Sequence, residues 1–166
     1  MTEIYTVLVI DDEPAVITAI SHTLSREGYQ VISANEGAQG LELAKERSPD
    51  LILCDYMMPG MNGVQVFQEM ARICPDAIRI LVTGQADLEV AMSAINDAGV
   101  YKFILKPWNT NDFTVVVRRA LEHYQLIQEG KALMQMLDMT LRQQEVKNRG
   151  LQHQVDRYRL MLGMDN

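Results

Sequence analysis

The stretch Leu51-Ile52-Leu53-Cys54-Asp55-Tyr56-Met57-Met58-Pro59-Gly60 runs four apolar residues into one carboxylate and then breaks in a Pro-Gly pair. With Pro49-Asp50 before it and Pro59-Gly60 after it, the apolar run predicts a short strand covered on both faces. Asp55 then stands where that strand surfaces. In open α/β sheets, ligands bind outside the carboxyl ends of the strands, so an acid at this point is a candidate functional group. Taken alone, Asp55 reads equally well as an acid that caps the following turn.

Three more apolar runs end in chemistry. Val7-Leu8-Val9-Ile10 finishes in Asp11-Asp12-Glu13, Ile78-Arg79-Ile80-Leu81-Val82 in Thr83-Gly84, and Tyr101-Lys102-Phe103-Ile104-Leu105 in Lys106-Pro107. The strand ends together offer Asp11, Asp12 and Asp55 as carboxylates, Thr83 as a hydroxyl and Lys106 as an ammonium.

Helical patterns alternate with these strands. Pro14 suits a first helical position, Ile17, Ile20 and Leu24 follow at helical spacing, and Gly28 is the stop. Tyr29-Gln30-Val31-Ile32-Ser33 is a weaker second strand. Leu41, Leu43 and Ala44 mark a second helix ending near Ser48-Pro49. Val66-Phe67-Met70-Ala71 marks a third that Pro75 terminates. Asp87 caps a fourth carrying Ala91, Ala94 and Ile95, and Gly99 ends it. A βα unit repeated five times predicts one parallel, doubly wound sheet with helices on both faces. The runs at Val7, Leu51 and Ile78 are almost wholly apolar, whereas Gln30 and Ser33, or Lys102 and Lys106, interrupt the other two. Edge strands tolerate such residues, so the second and fifth strands belong at the edges. The flavodoxin-like order 2-1-3-4-5 satisfies this and brings Asp11, Asp12 and Asp55 to one crevice.

From Asn109 onward the pattern is one long helix, with Asn109 as its cap and Asp112 in its first turn. With Phe113 as heptad position a, the apolar face is wide as far as Ile127, adding Val117, Leu121 and Tyr124, as in a helix packed on a domain. Beyond Gly130 it narrows to a seam in which Met134, Leu137, Leu141, Leu151, Val155 and Leu162 hold a and d positions and Asn148 is a lone polar a residue. That pattern predicts a parallel two-stranded coiled coil, hence a homodimer, with a fraying single helix as the plainer reading. Gly130 is the expected weak point between domain and stalk, because Gly costs roughly 1 kcal/mol relative to Ala within a helix. The predicted organisation is a domain over residues 1–129 and a helical coiled-coil extension over 130–166.

The 166 residues allow one domain with a real core plus an appendage, and 48% hydrophobic residues is ordinary for a folded protein. Cys54 and Cys74 form neither a C-x-x-C motif nor a disulfide framework. No apolar stretch approaches the roughly 18 residues of a membrane span, and no signal-peptide pattern opens the chain, so the cytoplasm is the expected compartment. The net charge is −7. Residues 1–109 hold 15 acids and 7 Lys/Arg, and residues 110–166 hold 7 acids and 8 Lys/Arg. Neither part has the clustered basic face of a nucleic-acid-binding arm, so direct nucleic-acid binding is not expected.

Two carboxylates about 4 Å apart repel by roughly 4 kcal/mol at an effective dielectric of 20, so the predicted cluster calls for a cation. The donors are hard oxygens, with no His or Cys in these loops, which favours Mg²⁺ over zinc or iron. Mg²⁺ bound by few carboxylates is the usual arrangement for phosphoryl transfer, with Asp55 as the nucleophile that would form an aspartyl phosphate. Lys106 would neutralise an incoming phosphoryl oxygen and Thr83 would donate a hydrogen bond to another.

Asp11-Asp12, Asp55, Met58-Pro59-Gly60-Met61-Asn62-Gly63, Thr83-Gly84 and Lys106-Pro107 together resemble the receiver domain of bacterial two-component response regulators, over about residues 4–128. The resemblance implies that Asp55 takes a phosphoryl group from a sensor histidine kinase or phosphotransfer protein. It implies that Asp12, Asp55 and the Met57 backbone carbonyl bind Mg²⁺, with Asp11 assisting through water. Thr83 and Lys106 match the family's phosphate-sensing pair, and Phe103 takes the place of its switch aromatic, as Phe and not Tyr. Such a domain catalyses only its own phosphorylation and dephosphorylation. Lys106-Pro107-Trp108 before a long helix looks like receivers that precede cyclic-dinucleotide, phosphatase or kinase output domains, and no such domain follows in these 166 residues.

Rival readings fit less well. A haloacid-dehalogenase-type phosphatase wants an acid two residues after its nucleophile, where Met57 stands, and a dinucleotide-binding domain wants G-x-G-x-x-G where Asp11-Asp12-Glu13-Pro14 stands. An unphosphorylated scaffold that dimerises through its tail is the remaining alternative. His22, His123 and His153 read as structural or surface residues.

Overall fold

The computed structural model describes residues 4–84, 87–93 and 98–164, with the backbone alone for Leu88, Val90 and Ser93. The chain divides into two compact units, Met1–Tyr124 and Gln125–Asn166.

Strands β1 (Thr6–Ile10), β2 (Gln30–Ala34), β3 (Leu51–Asp55), β4 (Ile78–Gly84) and β5 (Lys102–Lys106) alternate with helices α1 (Pro14–Arg26), α2 (Gly37–Arg47), α3 (Gly63–Ile73), α4 (Leu88–Ser93) and α5 (Thr110–Met161), of which α5 alone extends into the second unit. All strand pairs are parallel, in the order β2-β1-β3-β4-β5. This is the expected doubly wound arrangement. Its physical basis is visible strand by strand: every residue of β3 and the Val7–Ile10 stretch of β1 are buried, whereas β2 and β5 mix buried and exposed positions. Apolar runs take the centre because only there are both faces and both edges covered.

The helix boundaries follow local chemistry. Pro14 opens α1, and Gly28, at φ +90°, closes it in a left-handed conformation open to glycine at no steric cost. The Gly28 amide donates to the Ser25 carbonyl and the Tyr29 amide to the Leu24 carbonyl. Tyr29 thus completes the helix stop, and β2 begins one residue later than the sequence pattern suggests. At the start of α5 the Asn109 side chain accepts from the amides of Asn111 and Asp112 at 2.8 and 3.3 Å, the expected cap. Asn109 accordingly stands just outside the helix. Of the residues expected to anchor the fourth helix, Ala91 is buried, and Ala94 and Ile95 lie outside the described residues.

Within the first unit α5 buries Phe113, Val117, Ala120 and Leu121, the wide apolar face expected of its opening turns. Trp108 stacks on Phe113 at 5.3 Å between ring centres, and Tyr5 meets Tyr124 edge-to-face at 6.3 Å. Aromatic pairs of this kind contribute about 0.5–1.5 kcal/mol beyond the area they bury.

In the second unit the helix continues to Met161 and passes through Gly130, the expected weak point, without a break. It stops at Gly163, at φ +63°, where the Gly163 amide donates to the Leu160 carbonyl and the Met164 amide to the Arg159 carbonyl, satisfying two carbonyls of the last turn. Beyond Gly130 its large apolar side chains are exposed, from 44% at Val155 to 75% at Met161. Among the described residues, no helix is long and apolar enough to cross a membrane.

Candidate functional site

The strand register gathers the chemistry at the carboxyl end of the sheet. Ile10 pairs with Cys54, so Asp11 leaves β1 beside Asp55, the last residue of β3. Asp55 pairs with Val82, so Thr83 lies one residue further along β4, and Lys106 ends β5 opposite Gly84. Carboxylate oxygens of Asp11, Asp12 and Asp55 lie within 4.8 Å of one another. Asp11 and Asp55 are buried and Asp12 is exposed.

Lys106 spans the cluster. Its Nζ lies 2.9 Å from Asp11 Oδ2, 3.2 Å from Asp55 Oδ1 and 3.5 Å from Glu13 Oε1. Asp11 is fixed from both sides, since its Oδ1 also accepts from the Glu13 amide at 2.9 Å. Three carboxylates against one ammonium leave the buried group short of positive charge. Burial, with the Asp11 charge added, raises the Asp55 carboxyl from its ordinary 3.8 to about 6, against the opposing pull of Lys106. Burial alone would lower the Lys106 ammonium, but its hydrogen bond to Asp11 and the Asp55 charge outweigh that and hold it above its usual range. Burial beside the two acids pushes the Cys54 thiol well up, which makes it an inert packing residue.

The loop after Asp55 is held from below. Asn62 caps α3 in a reciprocal box: its side chain accepts from the Gln65 amide, and the Gln65 side chain accepts from the Asn62 amide, both at 2.9 Å. Gly63 follows, and its amide donates to the Tyr56 carbonyl at 2.9 Å. A Cβ on Gly63 would fall against the Asp55 carbonyl oxygen and the Leu81 side chain, so glycine is what lets α3 start this close to the end of β3. Within the loop Met58 is buried, Met61 packs against the core and Met57 points its side chain to solvent at 58% exposure.

Asp11, Asp12, Asp55 and Lys106 are thus brought together as the sequence suggested. Thr83 is buried on the neighbouring strand, its hydroxyl donating to the Gly84 carbonyl at 3.2 Å. Phe103 stands apart from the carboxylates, three residues down β5, half-buried against the core. Two participants were not singled out from sequence. Glu13 faces Lys106, although it directly follows the Asp pair, and Asn62 was quoted only within the loop, although the Asn62-x-x-Gln65 spacing of a capping box was readable.

A parallel doubly wound sheet in the order β2-β1-β3-β4-β5, with an acidic cluster and a lysine at its carboxyl end, is the flavodoxin-like architecture. The family model for the response regulator receiver domain matches residues 7–118, and the chain belongs to that family. It is similar to the hydrogenase transcriptional regulatory protein HoxA of Cupriavidus necator, at 36% identity over 137 residues that make up 82% of this chain and 27% of HoxA. Among solved structures it resembles NtrX from Brucella abortus, with a TM-score of 0.73 at 29% identity over 79% of this chain and 30% of NtrX. It also resembles a response regulator receiver domain protein from Clostridium thermocellum, with a TM-score of 0.69 at 28% identity over 75% of this chain and 99% of that one. The chain therefore spans 25 to 30% of the length of the first curated relatives it matches.

Proposed function

We propose that the receiver domain, taken as residues 1–129, is a phosphoacceptor whose Asp55 takes a phosphoryl group from a histidine kinase or phosphotransfer protein. The observation that carries this reading is the convergence of Asp55 with Asp11, Asp12 and Lys106 at one strand end. In the reaction a carboxylate oxygen of Asp55 attacks the phosphorus of the donor. An O–P bond forms to give an acyl phosphate, the donor's P–N bond breaks, and its electron pair returns to the departing imidazole. Lys106, already 3.2 Å from Asp55, neutralises a phosphoryl oxygen. Thr83, one residue past the level of Asp55 on the adjacent strand, donates its hydroxyl to another by giving up the Gly84 carbonyl.

The carboxylates suit a divalent cation, because three hard oxygen donors within 4.8 Å carry more negative charge than one lysine offsets. Asp12, Asp55 and the Met57 carbonyl would hold Mg²⁺, with Asp11 assisting through water, and the ion would neutralise charge that develops on the phosphoryl group. The resulting response is a shift of Thr83 toward the phosphoryl group, with Phe103 taking up the space it leaves, so that the surface built from α4, β5 and the start of α5 changes. The extension, residues 130–166, pairs with its own copy through the Met134 to Leu162 seam and links receivers to an output domain or partner. The domain's own chemistry is limited to gaining and losing this phosphoryl group.

Intact-mass measurement after incubation with acetyl phosphate and Mg²⁺ tests the reading. One added phosphoryl group that hydroxylamine removes supports it, and an unchanged mass with both acetyl phosphate and phosphoramidate overturns it.

A further inference from the structure

The ammonium of Lys106 carries three N–H groups and has three acids within ion-pair distance. Two of them, Asp11 and Asp55, belong to the carboxylate group at the strand ends. The third, Glu13, is neither the phosphoacceptor nor a member of that group.

The Glu13 backbone is fixed from three sides. Its amide donates to Asp11 Oδ1 at 2.9 Å, and its carbonyl accepts from the amides of Val16 and Ile17 at 3.0 and 3.2 Å. Pro14 restricts the residue before it to the extended region, which Glu13 occupies at φ −92° and ψ 108°. Glu13 therefore stands at the cap of α1, where Ser, Thr, Asp or Asn would accept from the free amides of the first turn. Its side chain makes no such bond and faces Lys106, with Oε1 3.5 Å from Nζ. Giving up a cap to direct a carboxylate at the reactive lysine breaks a local rule where function would justify it.

The three acids differ in what it costs them to lose Lys106. Asp11, at 2.9 Å the nearest, is 2% exposed, so without the ammonium it would be an unpaired charge held out of water. Asp55 keeps the contact by extension, because a phosphoryl group joined to it brings its own oxygens to the same ammonium. Glu13 is 65% exposed, and water takes up its carboxylate on release. Its charge also repels the phosphoryl oxygens that approach Lys106. Competition and repulsion act in one direction, against the phosphorylated state.

We propose that Glu13 is a positioning residue that holds Lys106 in the unphosphorylated domain and yields it to the phosphoryl group, and so sets how tightly that group is held. The inference rests on the phosphoacceptor reading of Asp55. A contact made more strongly in one state favours that state, so removing the Glu13 carboxylate favours the other. The exposure of Glu13 bounds the effect, since an exposed ion pair shifts an equilibrium constant by at most about fivefold.

Equilibrium titration of the full chain with beryllofluoride, a stable stand-in for the phosphoryl group, tests the proposal. It is run at saturating Mg²⁺ and constant ionic strength and read by the fluorine resonance of the bound ion. Glu13→Gln should bind beryllofluoride roughly two- to five-fold more tightly than the unaltered chain. Glu13→Ser should do the same while supplying a hydroxyl that can cap α1. Glu13→Asp, which keeps the charge and shortens the reach to Lys106 by one methylene, should show part of the gain. Damage to the fold would weaken binding, so a gain in affinity separates positioning from a structural role. Unchanged or weaker binding by Glu13→Gln or Glu13→Ser, with the unaltered chain binding the ion, overturns the proposal and leaves the phosphoacceptor reading standing. Glu13→Asp binding like the unaltered chain also overturns it, because charge alone and not contact with Lys106 would then be at work. An unaltered chain that takes up no beryllofluoride overturns both.

Discussion

Replacing Asp55 by Asn should stabilise the metal-free protein, although Asp55 is the proposed reactive residue. Its carboxyl is raised from 3.8 to about 6 by burial and by Asp11, so at pH 7.5 the fold holds an ionised group that it would rather hold neutral. At about 1.4 kcal/mol per pH unit, the ionised form costs the native state about 3 kcal/mol, and Asn keeps the shape of the neutral acid while removing that cost. The pH dependence fixes the sign. A carboxyl whose folded value lies above its unfolded value binds its proton more tightly in the native state, so its stability contribution falls as pH rises from about 4 to about 6 and is level above that. The Asn variant should lack this component of the profile. Urea unfolding in excess EDTA, followed by the fluorescence of Trp108, reports on the receiver unit because the chain's one Trp stacks on Phe113 there. A gain of about 2–3 kcal/mol at pH 7.5, shrinking to near zero at pH 4, is the expected result. An Asn variant equally stable or less stable at pH 7.5 would refute the reasoning, since it would mean that Lys106 already compensates Asp55 fully.

Gly63→Ala should destabilise the receiver by about 1–3 kcal/mol, because the new methyl meets the Asp55 carbonyl oxygen, which cannot move without shifting β3, as well as the end of the Leu81 side chain. Thermal unfolding of the two proteins side by side checks it, and an unchanged midpoint would show that α3 can back away freely. Asp12→Ala should weaken Mg²⁺ affinity at least tenfold by removing an exposed carboxylate from the three-acid group. Calorimetric titration with Mg²⁺ measures this, and an unaltered affinity would place the ion elsewhere.

How much of this was readable before the structure depends on the kind of signal each feature leaves. The strand order was legible because burial writes itself into composition: Val7–Ile10 of β1 and Leu51–Cys54 of β3 hold no charged or amide side chain, while Gln30, Ser33 and Lys102 mark the edges. Once the order is known, the meeting of Asp11, Asp12 and Asp55 follows from parallel pairing alone. The way Lys106 divides itself between Asp11, Asp55 and Glu13 was not legible, because a flexible side chain settles among competing acids by distances that no spacing encodes. The need for glycine at position 63 was hidden for a similar reason, since it arises from the approach of α3 to β3 and not from any turn at that residue. Gly130 is a different case. Intrinsic propensity marks it as a weak point, and the helix runs through it unbroken, as one Gly costs about 1 kcal/mol and the flanking hydrogen-bonded turns are cooperative.

The central claim is that Asp55, and not its neighbours, carries the phosphoryl group. An acyl phosphate is reduced by borohydride to the corresponding alcohol, so the phosphorylated aspartate is converted to homoserine. Borohydride treatment of the acetyl phosphate-treated protein, followed by peptide mapping, should find homoserine at position 55 with Asp11 and Asp12 intact. Homoserine at position 11 or 12, with position 55 still aspartate, would contradict the account.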